Sequence, residues 1–339
     1  RKRTVRRARI ELAEVAAIPN LIEATARAAR GKRERPVVRA FLDRLEAHLA
    51  VLAEDIVAGR APRGEYRCFR IRDPKPRIIH AACFADRVLH HAVMLHAGPV
   101  LERAMTDTSY ACRPDKGTLA AVRAAQAALQ RFPWYVKVDI SGYFAHIDHA
   151  RLFDVLDRRF KGTGFMDLLR RIVVGHETAP GKGLPIGSLT SQYFANYYLD
   201  GLDRLLLEKL GARAEVRYMD DILWWCDSRE QARETLAAVG DWLGRERLLR
   251  LKEPSQINRS RHGAGFCGYR VLPGALRLSA RRRKRYQERR AAWEAAWREG
   301  RIDALTLQRG YDAVRAITLH ADGRNWRRNE LARHPAPEV

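Results

Sequence analysis

Three acidic residues stand where apolar strands stop: Asp139 after Trp134-Tyr-Val-Lys-Val138, and the pair Asp220-Asp221 inside the apolar stretch Val216 to Cys226. Carboxylates gathered at such places lose solvation and repel one another, so they stay charged together only beside a cation. Oxygen donors without Cys or His favour magnesium, with manganese as a substitute. Two such ions side by side suit nucleotidyl transfer, one activating an attacking 3′-hydroxyl, the other holding a triphosphate and its leaving pyrophosphate. A bare Asp-Asp pair is ordinary turn chemistry. Here it is flanked by apolar residues on both sides and accompanied by a third strand-end aspartate. His146-Ile-Asp148-His149 is a weaker candidate for metal, since it lacks a thiolate or a distant third ligand. In the pair His90-His91, one ring is expected to be buried and the other wet.

These side chains need rigid mounts. The run Trp134 to Ile140 reads as a strand, and Val216 to Cys226 as a buried hairpin with the carboxylate pair at its turn. Tyr66 to Ile79 contains two β-like runs parted by Asp73-Pro-Lys-Pro, which makes a hairpin with a basic tip. Helical spacing covers residues 10 to 60 as two helices interrupted by Gly31 to Pro36. It returns over Phe84 to Leu101, over Thr118 to Gln130 with Thr118 as cap, over Asp148 to Phe160, and over a long helix from Leu189 to about Leu210. Asp227 to Arg247 reads as an amphipathic helix, Gly265 to Val271 as one short strand, and the region from Ser279 as basic helix. The mixture is α+β.

The chain has 339 residues, 63 Lys and Arg against 40 Asp and Glu, and a net charge of +23. Such a surface attracts a polyanion, with nucleic acid the first candidate. No apolar run is long enough to span a bilayer, and no membrane partner is expected. Five scattered cysteines without a CxxC pair argue against a disulfide framework or structural zinc. Nothing at the start reads as a secretion signal, so the expected location is the cytoplasm.

The order of these features resembles the reverse transcriptases. The strand-end Asp139 and Tyr218-Met-Asp-Asp221 match the palm motifs of that family. Arg72-Asp-Pro-Lys75-Pro-Arg77 resembles its fingers hairpin, with Lys75 and Arg77 placed to meet the incoming triphosphate. Tyr110-Ala-Cys-Arg113-Pro-Asp-Lys116-Gly-Thr resembles the second fingers motif bordering the template. Phe144 matches the aromatic gate that excludes a ribose 2′-hydroxyl, and Ile140 would lend its backbone carbonyl to a metal. Gly183-Leu-Pro-Ile186-Gly187-Ser-Leu-Thr-Ser191-Gln192 matches the loop and helix beneath the nascent base pair, and Tyr218 adjoins the primer and template.

The resemblance implies a right-hand polymerase: an N-terminal helical region over 1 to 60, fingers over 61 to 133, a palm with an antiparallel sheet over 134 to 270 that includes residual fingers elements near 160 to 185, and a helical thumb with the C-terminus over 271 to 339. In the thumb, Arg281, Arg282, Arg283 and Lys284 would grip nucleic-acid backbone, and Trp293 and Trp297 form a stripe read as packing. Ligands would be dNTPs, a structured template RNA and its cDNA or primer. Most family members have Gln where this chain has Ile186, and Ser-Pro where it has Ser191-Gln192. This departure resembles the reverse transcriptases of diversity-generating retroelements, which miscopy adenines of a template-repeat RNA and often work with a small basic accessory protein that forms a ring. A side chain unable to hydrogen-bond at Ile186 should hold the base pair less tightly. Group II intron, retron and phage-defence reverse transcriptases are the nearest alternatives, and a non-catalytic RNA-binding protein with a polymerase fold a remote one. No attached RNase H or endonuclease is expected.

Overall fold

The computed structural model describes residues 7–72 and 76–337, so Lys75 and most of the basic run at the start lie outside the described residues, as does the Arg77 side chain. The chain divides into two compact units. One comprises Arg1–Cys112, Ile140–Arg204 and Ala238–Lys252; the other comprises Arg113–Asp139, Leu205–Ala237 and Glu253–Val339.

The second unit is built on a four-stranded antiparallel sheet, ordered Ala214–Tyr218, Asp221–Cys226, Trp134–Val138, Gln256–Arg259. Asp221–Cys226 is buried at five of its six positions, which fits a central strand made of Ile, Leu, Trp, Trp and Cys. Trp224 and Trp225 have no exposed surface, and Trp224 Nε1 donates to Thr235 Oγ1 at 2.9 Å. Register pairs Val138 with Ile222 and Tyr218 with Asp221, so three strands of the sheet have their termini together at one end of it.

No apolar alternation announces Gln256–Arg259, which is a mostly exposed polar edge strand absent from the sequence reading. The expected single strand over 265 to 271 is instead a hairpin, Ala264–Phe266 against Tyr269–Leu272, with Ala275–Leu278 added as a third strand. It reverses at Cys267 and Gly268, both at positive φ, and only the glycine signals such a turn. Helix Ala280–Arg298 follows, with Ser279 as its side-chain cap, and Trp293 packs so close to Gly310 that a Cβ there would meet the ring at 2.5 Å.

The first unit is mainly helical. Residues 10 to 60 form four helices rather than two: Leu12–Ala16, Ile18–Ala29, Pro36–Asp43 and Leu45–Val57. The expected interruption at Gly31 to Pro36 is present, and each arm is split again. Ala17 adopts extended ψ before Pro19, which cannot donate a helical hydrogen bond, and Arg44 leaves helical geometry. Phe84–Ala104 is the longest helix of this unit and buries most of its length. His90 on it is 2% exposed, the buried ring expected of that pair, while His91 is half-buried rather than wet.

The long helix expected from Leu189 stops at Tyr198, then resumes as Asp200–Arg204 and a π-turn over Leu205–Lys209. Asp200 explains the break. It is buried, accepts from the Thr106 backbone N–H at 2.8 Å and pairs with Arg204 Nε at 2.8 Å. A second π-turn at Leu243–Arg247 buries Arg247, whose guanidinium lies over Trp242 and donates to the Tyr198 carbonyl at 2.7 Å. Arg7 donates to the Phe160 carbonyl at 2.9 and 2.7 Å.

Candidate active site

The second unit assembles the carboxylates. Asp139 follows the last residue of Trp134–Val138, Asp220 occupies the two-residue turn after Ala214–Tyr218, and Asp221 opens the next strand. Met219, the first turn residue, has φ of 60°, a conformation usually taken by glycine in such tight hairpins. Arg217, with no exposed surface, donates through Nη1 to the Met219 carbonyl at 3.3 Å and so ties the turn to the sheet. Thr118 Oγ1 donates to the Tyr218 hydroxyl at 3.2 Å. Thr118 is therefore not the helix cap expected of it: Gly117 at φ 107° takes that position, and the threonine hydroxyl is committed to Tyr218.

Burial and the Asp139 charge, with a hydrogen bond between the two side chains, push the Asp220 carboxyl up to about 6. Asp221 is also raised by burial, against the opposing pull of Lys137 and of a hydrogen bond from the Cys267 backbone N–H. Lys137 Nζ lies 3.2 Å from Asp221 Oδ1, an atom that makes no hydrogen bond. Among the described residues, no three acidic, His or Cys side chains close on one point tightly enough to enclose an ion. The arrangement is an Asp139–Asp220 pair beside an Asp221 held by an internal ammonium. It fits a hard divalent cation in kind, because the donors are all oxygen, their mutual repulsion asks for positive charge, and Asp221 Oδ1 has unused acceptor capacity.

Sequence reasoning missed Lys137, Arg217 and the Cys267 N–H. Lys137 left a signal: two residues before Asp139 in a strand, its side chain emerges on the same face. Arg113 is buried and Lys116 half-buried in the loop before Thr118–Arg131. In helix Ala280–Arg298, Arg282 is not a loose cation. It donates to the Tyr269 hydroxyl at 2.8 Å and to the Cys267 carbonyl at 3.3 Å, while Lys284 faces Glu288 at 3.7 Å. Arg281 and Arg283 are exposed.

The first unit gathers a different set. The Leu184 N–H donates to the Phe144 carbonyl at 2.8 Å and the Gly183 N–H to the Ile147 carbonyl at 2.9 Å, joining Phe144's segment to the glycine-rich loop. The His80 N–H of strand Pro76–Ala82 donates to the Ile186 carbonyl at 3.3 Å. Gly187 sits at φ 110°, and a Cβ there would meet Ile79 Cγ2 at 3.2 Å, so this close approach needs glycine. Phe144, Ile186, Gly187 and the foot of the exposed hairpin thus share one place, with half-buried Gln192 in the helix that follows. His90 Nδ1 and the Ser188 hydroxyl, 3.0 Å apart, fasten the loop from beneath. Ile140, 2% exposed, bridges to Leu251, and the His146–His149 segment is structural: His149 Nε2 reaches the Gly183 carbonyl at 2.7 Å.

Residues 71–270, more than half of the chain, match the reverse transcriptase (RNA-dependent DNA polymerase) family. The chain belongs to that family. This reverse transcriptase is similar to protein YkfC of Escherichia coli, 26% identical over 57% of this chain and 53% of that protein. It is also similar to the group II intron-encoded protein LtrA of Lactococcus lactis, 26% identical over 40% of this chain and 23% of that protein. The chain thus spans about half, or less, of the length of these curated relatives. Among solved structures, an apo telomerase from Candida tropicalis matches 63% of this chain and 55% of its own, with a TM-score of 0.45 and 9% identity. The α+β right-hand polymerase fold expected from the sequence is that of the family. No helix among the described residues is long and apolar enough to cross a membrane.

Proposed function

We propose that this reverse transcriptase copies a structured RNA template into DNA from dNTPs, with Asp139, Asp220 and Asp221 as its catalytic, metal-holding carboxylates. The observation that carries this reading is the Asp139–Asp220 pair at one end of a rigid sheet, with burial and mutual repulsion that call for a cation. Magnesium, or manganese in its place, would supply Lewis-acid activation of the attacking hydroxyl and charge neutralisation at the phosphates. The Ile140 carbonyl is a further candidate ligand. Lys75 and Arg77 would hold the triphosphate, Phe144 would stand against a ribose 2′-hydroxyl, and Gly187 and Gln192 would lie beneath the base pair. Template and primer would run along Arg113, Lys116, Tyr218, Arg281 and Arg283.

We propose further that the copying is deliberately inaccurate at adenines, as in diversity-generating retroelements, with a basic ring-forming accessory protein as an additional partner. Support comes from Ile186 and Gln192 in place of the commoner Gln and Pro. The Ile186 carbonyl accepts from the His80 N–H, and its aliphatic side chain offers no hydrogen bond to a base or sugar. The decisive experiment incubates the protein with template RNA, magnesium and dNTPs and sequences the cDNA. Synthesis with errors concentrated opposite adenine, reduced in Ile186→Gln, is expected; an error spectrum untouched by that substitution removes the mutagenic reading. Similarity to intron-encoded proteins favours a second reading, an enzyme of the group II intron kind, for which the cDNA would be faithful at adenine.

A further inference from the structure

Helix Ile18–Ala29, helix Phe84–Ala104 and the start of helix Leu189–Tyr198 enclose a cavity of about 430 Å³ lined by Arg27, Arg30, His91, Met94, Leu95, Leu189 and Tyr193. Its chemistry is divided. One side offers guanidinium groups and the other an apolar floor with a phenol ring, within a volume suited to a small ligand.

The cations around it are in excess. Arg27 is paired with Glu23 at 2.7 Å, yet Arg30, Lys32, Arg35 and Arg87 are joined to no carboxylate among the described residues. These groups feel one another. Burial and then Arg87 and Arg35 lower Lys32, burial and then Arg35 lower Arg87, and burial followed by Arg27, Lys32 and Arg87 pushes His91 down to about 4. Arg87 lies over the Phe84 ring at 5.0 Å, and its buried Nε makes no hydrogen bond. Arg27, Arg30 and Arg35 are exposed and Lys32 and Arg87 half-buried, so their summed positive field is open to an anion arriving from solvent. His91, neutral at physiological pH, presents an aromatic face rather than a further repelling charge, and Tyr193 presents another.

We infer that this cavity is a second nucleic-acid site, which takes one nucleotide of a single-stranded RNA, phosphate on Arg27 and Arg30 and base against Tyr193, His91 and Met94. Phosphate oxygens match guanidinium forks, and bases stack on aromatic faces regardless of sequence. The residues involved are none of those assigned to catalysis, so the cavity binds RNA whether or not the carboxylates make DNA. A free nucleotide shares the same chemistry and is the other source to be separated.

The test uses the full chain and a single-stranded RNA of about ten nucleotides carrying 4-thiouridine, crosslinked by light and mapped to peptides. Crosslinks are expected at His91, Met94 or Leu95 and at Tyr193, resolved from Gln192 by fragment-level mapping. Arg27→Ala with Arg30→Ala should cut these crosslinks about fivefold or more and lower the slope of log affinity against log salt by about 1.4. Crosslinks to helix Ala280–Arg298 should persist in that variant. Arg229→Ala with Arg233→Ala, on an exposed helix elsewhere, removes equal charge and should leave the cavity crosslinks unchanged. Millimolar ATP that abolishes them would identify free nucleotide as the occupant, and insensitivity to ATP would identify the RNA strand. Absence of crosslinks at these peptides, or an equal loss in the control pair, overturns the inference.

Discussion

Two β-hairpins of this chain carry residues proposed for the site, and they are built in opposite ways. Ala214–Tyr218 with Asp221–Cys226 lies inside a four-stranded sheet, and its second strand is buried at all positions but the first. Tyr66–Arg72 with Pro76–Ala82 forms a sheet of only two strands, and the first of them is exposed at six of seven positions, Phe69 at 45%. A carboxylate that must share charge with a neighbour needs a mount that cannot shift, and burial on both faces supplies it. A cationic arm that reaches toward a highly charged ligand needs length and solvent more than packing. The backbone ladder is the same, and the surroundings decide the role.

The contrast can be broken most severely at the carboxylates. Asp220→Asn or Asp139→Asn should lower DNA synthesis by at least about a thousandfold with an unchanged circular dichroism spectrum, since each change removes charge from the cation's donors and little packing. Stability should separate the hairpins next. Trp225→Ala empties a fully buried position and should cost about 3–5 kcal/mol in urea denaturation, whereas Phe69→Ala should stay within about 0.5 kcal/mol.

A pH profile sharpens the comparison at the loop that meets the exposed hairpin. Burial pushes His90 down to about 4, so the unfolded chain binds its proton first as pH falls. Its contribution is fully present above about 6.5 and is lost as pH drops toward 4, so His90→Gln should flatten the acid arm of the stability curve by an amount on the order of 2 kcal/mol. A smaller loss than that at His90 belongs to Arg217→Met, which leaves the Met219 carbonyl without this donor and should cost about 1 kcal/mol by thermal unfolding.

The buried hairpin is legible in the sequence because an apolar run interrupted by two acids is rarely anything but a pair of strands with its acids at the turn, and Asp139 because its strand stops at it. The helix from Leu189 is shorter than its apolar spacing implies. That spacing continues through Asp200, and only the tertiary contacts of the aspartate reveal the break. Gln256–Arg259 is illegible because an edge strand facing water needs no apolar face. Arg217 reads as an interruption of an apolar strand, and nothing local says that it fixes a turn; alternation puts Lys137 on the face of Asp139, but its partner Asp221 lies on the neighbouring strand and shows only in the register. Thr118 satisfies a local capping rule that loses to a hydroxyl 100 residues away. In helix Ala280–Arg298, composition identifies the cations but does not tell Arg282, locked to Tyr269, from its exposed neighbours.

Strand Trp134–Val138 is paired on both sides, with Asp221–Cys226 and with Gln256–Arg259, and Asp139 follows at its end. A single inserted or deleted residue there would invert every side chain relative to both neighbours and carry Asp139 to the opposite face. Divergence at this strand is therefore confined to exchanging residues at fixed length. Lineages can trade one apolar side chain for another, but the spacing between the strand and its aspartate is closed to drift.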